Sequence, residues 1–280
     1  MQATRQASSV AADSKALVFV DVLGFGSLTE QHVLDLDELK HADRLPAMLF
    51  IGRTNPLTRV FTGFHRSLQA VIELAKMEHS LTAVTFSDSA FIATAHLYHA
   101  ASIAVQLMQY FVPQRIPVRI GLAYGSFSAL RFRSDVTAEG GDHAALFLGT
   151  GVVRSSAAEG CGIKGLRILI HPSATQDLYE VREGEAESSK ESIPIVRCSA
   201  EETNNPVGVQ YEVDYWRFAP TAEARAWSAL QDMWSAAPEN ERKHYEATAA
   251  AIDRMRVQQG HPTLANLRRR TLPKKPRSAV

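Results

Sequence analysis

ALVFVDVLGFGSL (residues 16–28) and LTAVTFSDSAFIATA (residues 81–95) each set an aspartate, Asp21 and Asp88, against an apolar run and small residues. From Ala16 to Val20 every residue is apolar, and β-branched and aromatic types recur, which is the composition of a strand buried on both faces. The run ends at Asp21. Gly24 and Gly26 then permit a tight turn close to a ligand, and Ser27 and Thr29 suit helix caps, so the segment predicts a strand and a helix joined by a turn with free backbone N–H groups for a phosphate. In the second stretch Val84, Phe86, Phe91 and Ile92 flank a Ser-Asp-Ser tip, which predicts a β-hairpin with Asp88 at or beside its turn. Carboxylates that meet at strand ends raise each other's pKa unless a cation lies between them. Magnesium and manganese bind through one or two protein carboxylates plus substrate phosphates. Taken singly, either aspartate reads more readily as a polar residue closing a strand or turn, and it is the pairing that points to a site.

Outward from these runs the chain alternates strand and helix. A helix is predicted over 27–42. The stretch RLPAMLFIGRTNPL (44–57) follows, where Pro46, Gly52 and Pro56 break any helix. Val60, Phe61, Phe64, Leu68, Val71, Ile72 and Ala75 recur at helical spacing over 58–78. Beyond the hairpin, a helix is predicted over 97–112, a strand over 117–131, its antiparallel partner over 144–149, a helix over 152–160 and a strand over 165–171. This order predicts a ferredoxin-like α+β fold with a central, mostly antiparallel sheet and helices on one face. From Thr221 the pattern changes. Trp227, Leu230, Met233 and Trp234 form one apolar stripe, and Tyr245, Ala249, Ile252 and Met255 a second one after Pro238, predicting a helical appendage over 219–262 that packs on the core or on a dimer partner. The segment 263–280 contains LRRRTLPKKPRSAV, is basic, and is expected to be a solvated tail.

Composition bounds the functional classes. The chain has 280 residues, 45% of them hydrophobic, and its 30 basic residues balance 30 acidic ones, so overall charge argues for neither nucleic-acid nor membrane binding. Two cysteines, Cys161 and Cys198, build no metal or disulfide framework. Without a signal sequence or long apolar span, the expected location is the cytoplasm.

FVDVLGFGSLTE (19–30) resembles the first-strand motif of class III nucleotidyl cyclases, the adenylate and guanylate cyclase superfamily. TFSDSAFIA (85–93) is similar to the hairpin that supplies that family's second metal aspartate. PVRIGLAYGSF (117–127) resembles its fourth-strand motif, and FLGTGVVRSSAAEGCGIKGLRILIHPSA (147–174) the following strand, helix and strand. The resemblance covers residues 14–218, read as a catalytic domain. It implies that Asp21 and Asp88 hold two divalent cations, Mn²⁺ or Mg²⁺, with the Val22 carbonyl completing a shell. It also implies that Leu23, Gly24, Phe25, Gly26 and Ser27 cradle phosphates, and that the working form is a head-to-tail homodimer in which residues 149–164 of one subunit face the aspartates of the other.

The departures from the family carry as much information. Aligned through Gly149 and Glu159, the helix that in adenylate and guanylate cyclases carries an Asn and a transition-state Arg has Val153 and Ala157 there. Arg154, three residues before Ala157 on the same helix face, is the expected substitute, with Lys164 a further phosphate contact. The purine-reading positions fall at Val84 and Leu146, both apolar. Together with the lengthened segment between the aspartates, in which Phe50 is expected to help enclose a smaller base, this resembles the bacterial pyrimidine cyclases of Pycsar anti-phage defence. That implies conversion of UTP, or failing that CTP, to a 3′,5′-cyclic monophosphate that acts on a separate effector. The rival readings are a catalytically silent, nucleotide-binding cyclase-like domain and a purine nucleotide cyclase. A diguanylate-type enzyme is disfavoured because Gly140, Gly141 and Asp142 run into His143 in a loop, and His96 and His99 lack a third metal ligand.

Overall fold

The computed structural model describes residues 14–35, 37, 55–132, 144–175 and 194–264. The expected segment around Phe50, the Gly140–Asp142 turn and most of the basic tail lie outside these residues. β1 (Ser14–Val22) is an interior strand of a seven-stranded sheet. Its partners are β3 (Ser89–Thr94) on one side and β4 (Val118–Ser126) on the other, both antiparallel. β2 (Leu81–Thr85) closes the hairpin with β3, and on the far side β7 (Ile168–Ile170), β9 (Tyr211–Val213) and β8 (Ile195–Arg197) follow β4. Among the described residues only β4 and β7 pair in parallel, so the expected α+β fold with a mostly antiparallel sheet is met.

Alternation along β1 assigns the two faces. Ala16, Val18, Val20 and Val22 enter the main core with α2 (Pro56–Glu78) and α3 (Leu97–Phe111). Leu17 and Phe19 point the other way, toward Phe91, Phe127 and Phe147. The second face is not free of helices, as the expectation of helices on one face required: there α4 (Thr150–Glu159) runs across β4 so closely that a Cβ on Gly121 would stand 1.9 Å from the Ser155 carbonyl oxygen.

Several boundaries differ from the sequence expectation. The first helix, α1, spans only Phe25–Gln31 rather than 27–42: the backbone turns extended at His32, Val33 is 86% exposed, and the Val33 carbonyl accepts a hydrogen bond from Asn55 Nδ2 at 2.8 Å. Pro56 does not interrupt a helix. It opens α2 at the first position, where its missing N–H is not needed, with Asn55 Oδ1 capping Leu57 N–H at 2.9 Å. The strand expected over 117–131 breaks at Phe127, and only its second half, β5 (Ser128–Phe132), pairs with β6 (Ala144–Leu148) in a separate ribbon. The break follows from the reciprocal bonds of Ser126 with Thr150, in which each residue's N–H donates to the other's hydroxyl at 3.0 Å. β8 and β9 had no counterpart in the periodicity.

The C-terminal helices α5 (Pro220–Ala236) and α6 (Glu239–Gln258) join the main core: Ala226, Leu230, Ile252 and Met255 are fully buried in the same cluster as β1. Thr248 Oγ1 of α6 accepts from Leu166 N–H at 2.8 Å, and Arg254 Nη2 donates to Glu202 at 3.0 Å and to Glu212 at 3.3 Å. Arg167, fully buried, binds the same two glutamates. Cys161 and Cys198 are free and buried. Among the described residues no helix is long and apolar enough to cross a membrane.

Candidate active site

Asp21 is the next-to-last residue of β1 and shares a face with Leu17 and Phe19. Ser89 of β3 and Arg119 of β4 lie opposite it in register. Asp88 occupies the tip between β2 and β3, and its carbonyl accepts the N–H of Val22 at 3.0 Å, so one backbone bond ties the two aspartate segments together. Ser87 Oγ donates to Asp88 Oδ1 at 2.8 Å, and the Ser87 carbonyl accepts from His65 Nε2 of α2 at 3.1 Å, which anchors the tip.

The electrostatics of this corner are set by an excess of carboxylates. Burial, then Glu159, then Asp88 push the Asp21 pKa up to about 7, and Arg119 only partly opposes them. Arg119 is committed elsewhere: its Nη2 and Nε reach Glu159 Oε1 at 2.6 and 2.7 Å, and its Nη1 donates to the Ile163 carbonyl at 2.9 Å. Among the described residues the corner therefore has two aspartates and no free cation of its own to balance them. Among the described residues no three His, Cys, Asp or Glu side chains are grouped to hold a metal ion. Two carboxylates and a backbone oxygen nonetheless fit Mg²⁺ or Mn²⁺, which keep several waters and take further oxygens from substrate phosphates.

At the β1–α1 turn Gly24 has φ 74°, a left-handed conformation that other residues resist, and it serves as the N-cap with no side-chain capping bond. The first helical bond runs from Leu28 N–H to the Gly24 carbonyl, which leaves the N–H groups of Phe25, Gly26 and Ser27 without intrahelical partners. Leu23 differs from its neighbours, since its N–H already donates to the Pro117 carbonyl at 2.8 Å.

The remaining expected residues are scattered. Val84 is half-buried opposite Phe91, and Leu146 pairs with Leu130 in the β5–β6 ribbon. Lys164 is exposed, and its charge acts on His244 of α6. Arg154 Nη1 donates to the Tyr124 carbonyl at 2.9 Å. Tyr124 is the register partner of Ala16, five residues along β1 from Asp21, or about 17 Å at strand rise, so Arg154 and Asp21 of one chain stand at opposite ends of the sheet.

Glu159 and Arg119 were not singled out as site residues from sequence. Their pairing spans 40 positions, and Glu159 served only as an alignment point. A third group is aromatic: Phe86, 39% exposed, lies 5.4 Å from Phe147, which lies 5.1 Å from Phe91, itself stacked on Phe19 at 4.5 Å.

No family model matches the chain, and no curated protein does. Solved structures do. The guanylate cyclase domain of RhGC from Catenaria anguillulae in complex with GTP is 16% identical, with a TM-score of 0.47 over 72% of this chain and 96% of that one. The dimeric guanylyl cyclase domain of the RhoGC fusion protein from Blastocladiella emersonii is 13% identical, with a TM-score of 0.47 over 72% and 95%. The adenylyl cyclase CyaB from P. aeruginosa is 14% identical, with a TM-score of 0.42 over 71% and 93%. Scores of this size do not carry function from one chain to another.

Proposed function

We propose that the chain is a class III-like nucleotidyl cyclase that converts a pyrimidine nucleoside triphosphate, UTP in preference to CTP, into its 3′,5′-cyclic monophosphate and pyrophosphate. The observation that carries the reading is the Asp21–Asp88 corner, where burial and then neighbouring carboxylates raise the Asp21 pKa to about 7 in a site that a divalent ion would relieve. Asp21, Asp88 and the Val22 carbonyl would hold two divalent ions, which when bound lower the pKa of the ribose 3′-hydroxyl and neutralise the triphosphate. The chain supplies the positioning. The N–H groups of Phe25, Gly26 and Ser27 would hold the phosphates, and the tip that carries Asp88 is anchored on α2 and tied to Val22 by a backbone bond. The 3′-hydroxyl would lose its proton to solvent as its oxygen attacks the α-phosphorus and the bond to pyrophosphate breaks.

Arg154 acts on the phosphates of the partner protomer in this reading, because about 17 Å of strand separates it from Asp21 of its own chain. A homodimer built across the aspartate face is supported by Phe86, Leu148 and Val153, which lie on that face at 39%, 57% and 69% exposure. Residues 14–218 would carry the chemistry, 219–262 would brace it, and 263–280 would remain a tail. Apolar residues at Val84 and Leu146 offer nothing to a purine edge, which supports the pyrimidine assignment. A role in anti-phage signalling through a separate effector, in the cytoplasm, extends the same proposal.

The test is to incubate pure protein with ATP, GTP, CTP or UTP and Mn²⁺, and to identify products by mass spectrometry. Cyclic UMP as the main product is expected, whereas cyclic AMP as the main product would overturn the base assignment. The second reading, a silent nucleotide-binding domain, is favoured by Val153 and Ala157 standing where cyclases carry Asn and Arg. It is the conclusion if all four nucleotides bind without turnover.

A further inference from the structure

On the opposite side of the sheet from Asp21, a cavity of about 290 Å³ opens between the β1–α1 turn, the first turn of α2, the loop before β4 and the α5–α6 junction. Val22, Leu28, Val60, Met233 and Tyr245 form an apolar part of its wall, beside polar and charged residues. Two guanidinium side chains border the same space, Arg59 from α2 and Arg115 from the loop. Arg115 is the one non-glycine residue with positive φ among the described residues, at 61°. Its Nε and Nη2 both donate to Asp232 Oδ2 of α5, at 3.2 and 2.7 Å.

Arg59 has no such arrangement. Its Nε is buried with no hydrogen-bond partner among the described residues. Burial, together with the neighbouring charge of Arg115, holds its pKa below the usual arginine range. A buried donor without an acceptor is costly, and more so when it is charged. Arg254, the other arginine with an orphaned Nε, already has Glu202 and Glu212 on its Nη2, so Arg59 is where an acceptor is missing. Neither acidic residue of the cavity supplies one: Asp232 is engaged by Arg115, and Glu241 stands beside Gly24.

We propose that this cavity binds a small organic anion, a phosphate or carboxylate on a ring-sized apolar body, with the Arg59 guanidinium as the principal donor and Arg115, already paired with Asp232, beside it. The site shares Gly24 and Ser27 with the turn assigned to the substrate phosphates, so its occupant would brace that turn from the opposite side of the sheet. That regulatory consequence rests on the cyclase reading, whereas the binding itself does not.

Binding is tested on the full chain labelled with ¹³C-methyl methionine. Met233 lines the cavity, and Met77, 75% exposed on α2, serves as a control. Phenyl phosphate and benzoate are titrated beside phenol, their uncharged counterpart. The expected result is a saturable shift of the Met233 resonance with one or both anions, the tighter one identifying the head group, and at least tenfold weaker binding of phenol. Arg59→Met should weaken anion binding at least tenfold while melting no lower than the wild type, since it removes an unpaired buried charge. If Arg59→Met does not fold, Arg59→Lys, which keeps the charge but loses the planar donor set, is held to the same tenfold criterion. Equal response to phenol, unchanged anion binding in the variant, or shifts confined to Met77 would each overturn the proposal. None of these readouts uses catalysis, so a failed cyclase reading and a failed anion site are told apart.

Discussion

Arg119 stands directly opposite Asp21 in the β1–β4 register, yet its guanidinium is held 2.6 Å from Glu159. The cation nearest to the aspartate is thus neutralised by a third carboxylate, which itself helps to raise the Asp21 pKa. With its pKa raised to about 7, Asp21 holds a proton below neutrality, and a divalent ion bound there would have to compete with it.

That arrangement makes metal affinity depend on pH. With Asp21 titrating at about 7, a proton competes with the metal below neutrality, and Mn²⁺ should bind about tenfold more weakly at pH 6 than at pH 8 by isothermal calorimetry. The same group affects stability. Its folded pKa lies above the ordinary value of 3.8, so its contribution is fully present below about pH 4 and is lost as pH rises through 7. Metal-free Asp21→Asn should therefore melt above the wild type at pH 8, by several degrees after allowance for solvent screening, and Mn²⁺ should close the gap by stabilising the wild type alone. Equal melting temperatures at pH 8 would contradict the raised pKa.

Glu159→Gln removes one of the charges that hold Asp21 protonated and frees Arg119 to face it. Both changes lower the Asp21 pKa, so the tenfold pH dependence of Mn²⁺ affinity should shrink to about two- to threefold. The variant should also lose about 1.5–3 kcal/mol in urea unfolding, because a nearly buried arginine loses its charged partner. A pH dependence that survives the substitution would remove Glu159 from the account.

Gly121→Ala tests the seat of α4. The added methyl would meet the Ser155 carbonyl at 1.9 Å and the Glu159 nitrogen at 2.8 Å, both backbone atoms that cannot rotate away. A loss of about 3 kcal/mol or more is expected, read as an insoluble product or a large fall in melting temperature. A near-neutral variant would mean that α4 sits further from β4 than the structure places it.

At the other end of the sheet, Glu212→Ala leaves fully buried Arg167 with only Glu202 and should destabilise the fold by about 3–5 kcal/mol in urea. Pairing it with Arg254→Ala should be less than additive, since Arg254 shares both glutamates. Strict additivity would argue against a coupled network.

For the shared site, mixing Arg154→Ala with Asp21→Asn gives heterodimers with one doubly damaged and one intact centre, so activity should reappear after subunit exchange. Absence of rescue despite demonstrated exchange would sink the shared-site arrangement.

Much of this was legible in the sequence because it is local. The apolar run of β1, the Ser-Asp-Ser hairpin tip and the glycine turn each declare themselves within a dozen residues, and the structure joins the first two through the Val22–Asp88 backbone bond. The illegible parts depend on long-range pairing. Arg119 meets Glu159 across 40 positions, Phe86 meets Phe147 through the fold, and the split at Phe127 is imposed by Thr150. β8 and β9 are three residues each, too short for a period to register. Pro56 misled for a local reason: the same ring that breaks a helix interior is well placed at its first turn.

α4 runs antiparallel to β4, with Glu159 at the Asp21 end and Arg154 beside Tyr124 toward the other. Its ten residues make a rod about 15 Å long. In a head-to-tail pair every centre would draw on two such rods, its own for the carboxylate that tunes Asp21 and its partner's for the arginine. Filling one centre would then displace a member on which the other depends. Cooperativity between the two sites, with a Hill coefficient departing from one and abolished when either rod is unseated, would be a property of this geometry rather than of any added regulatory domain.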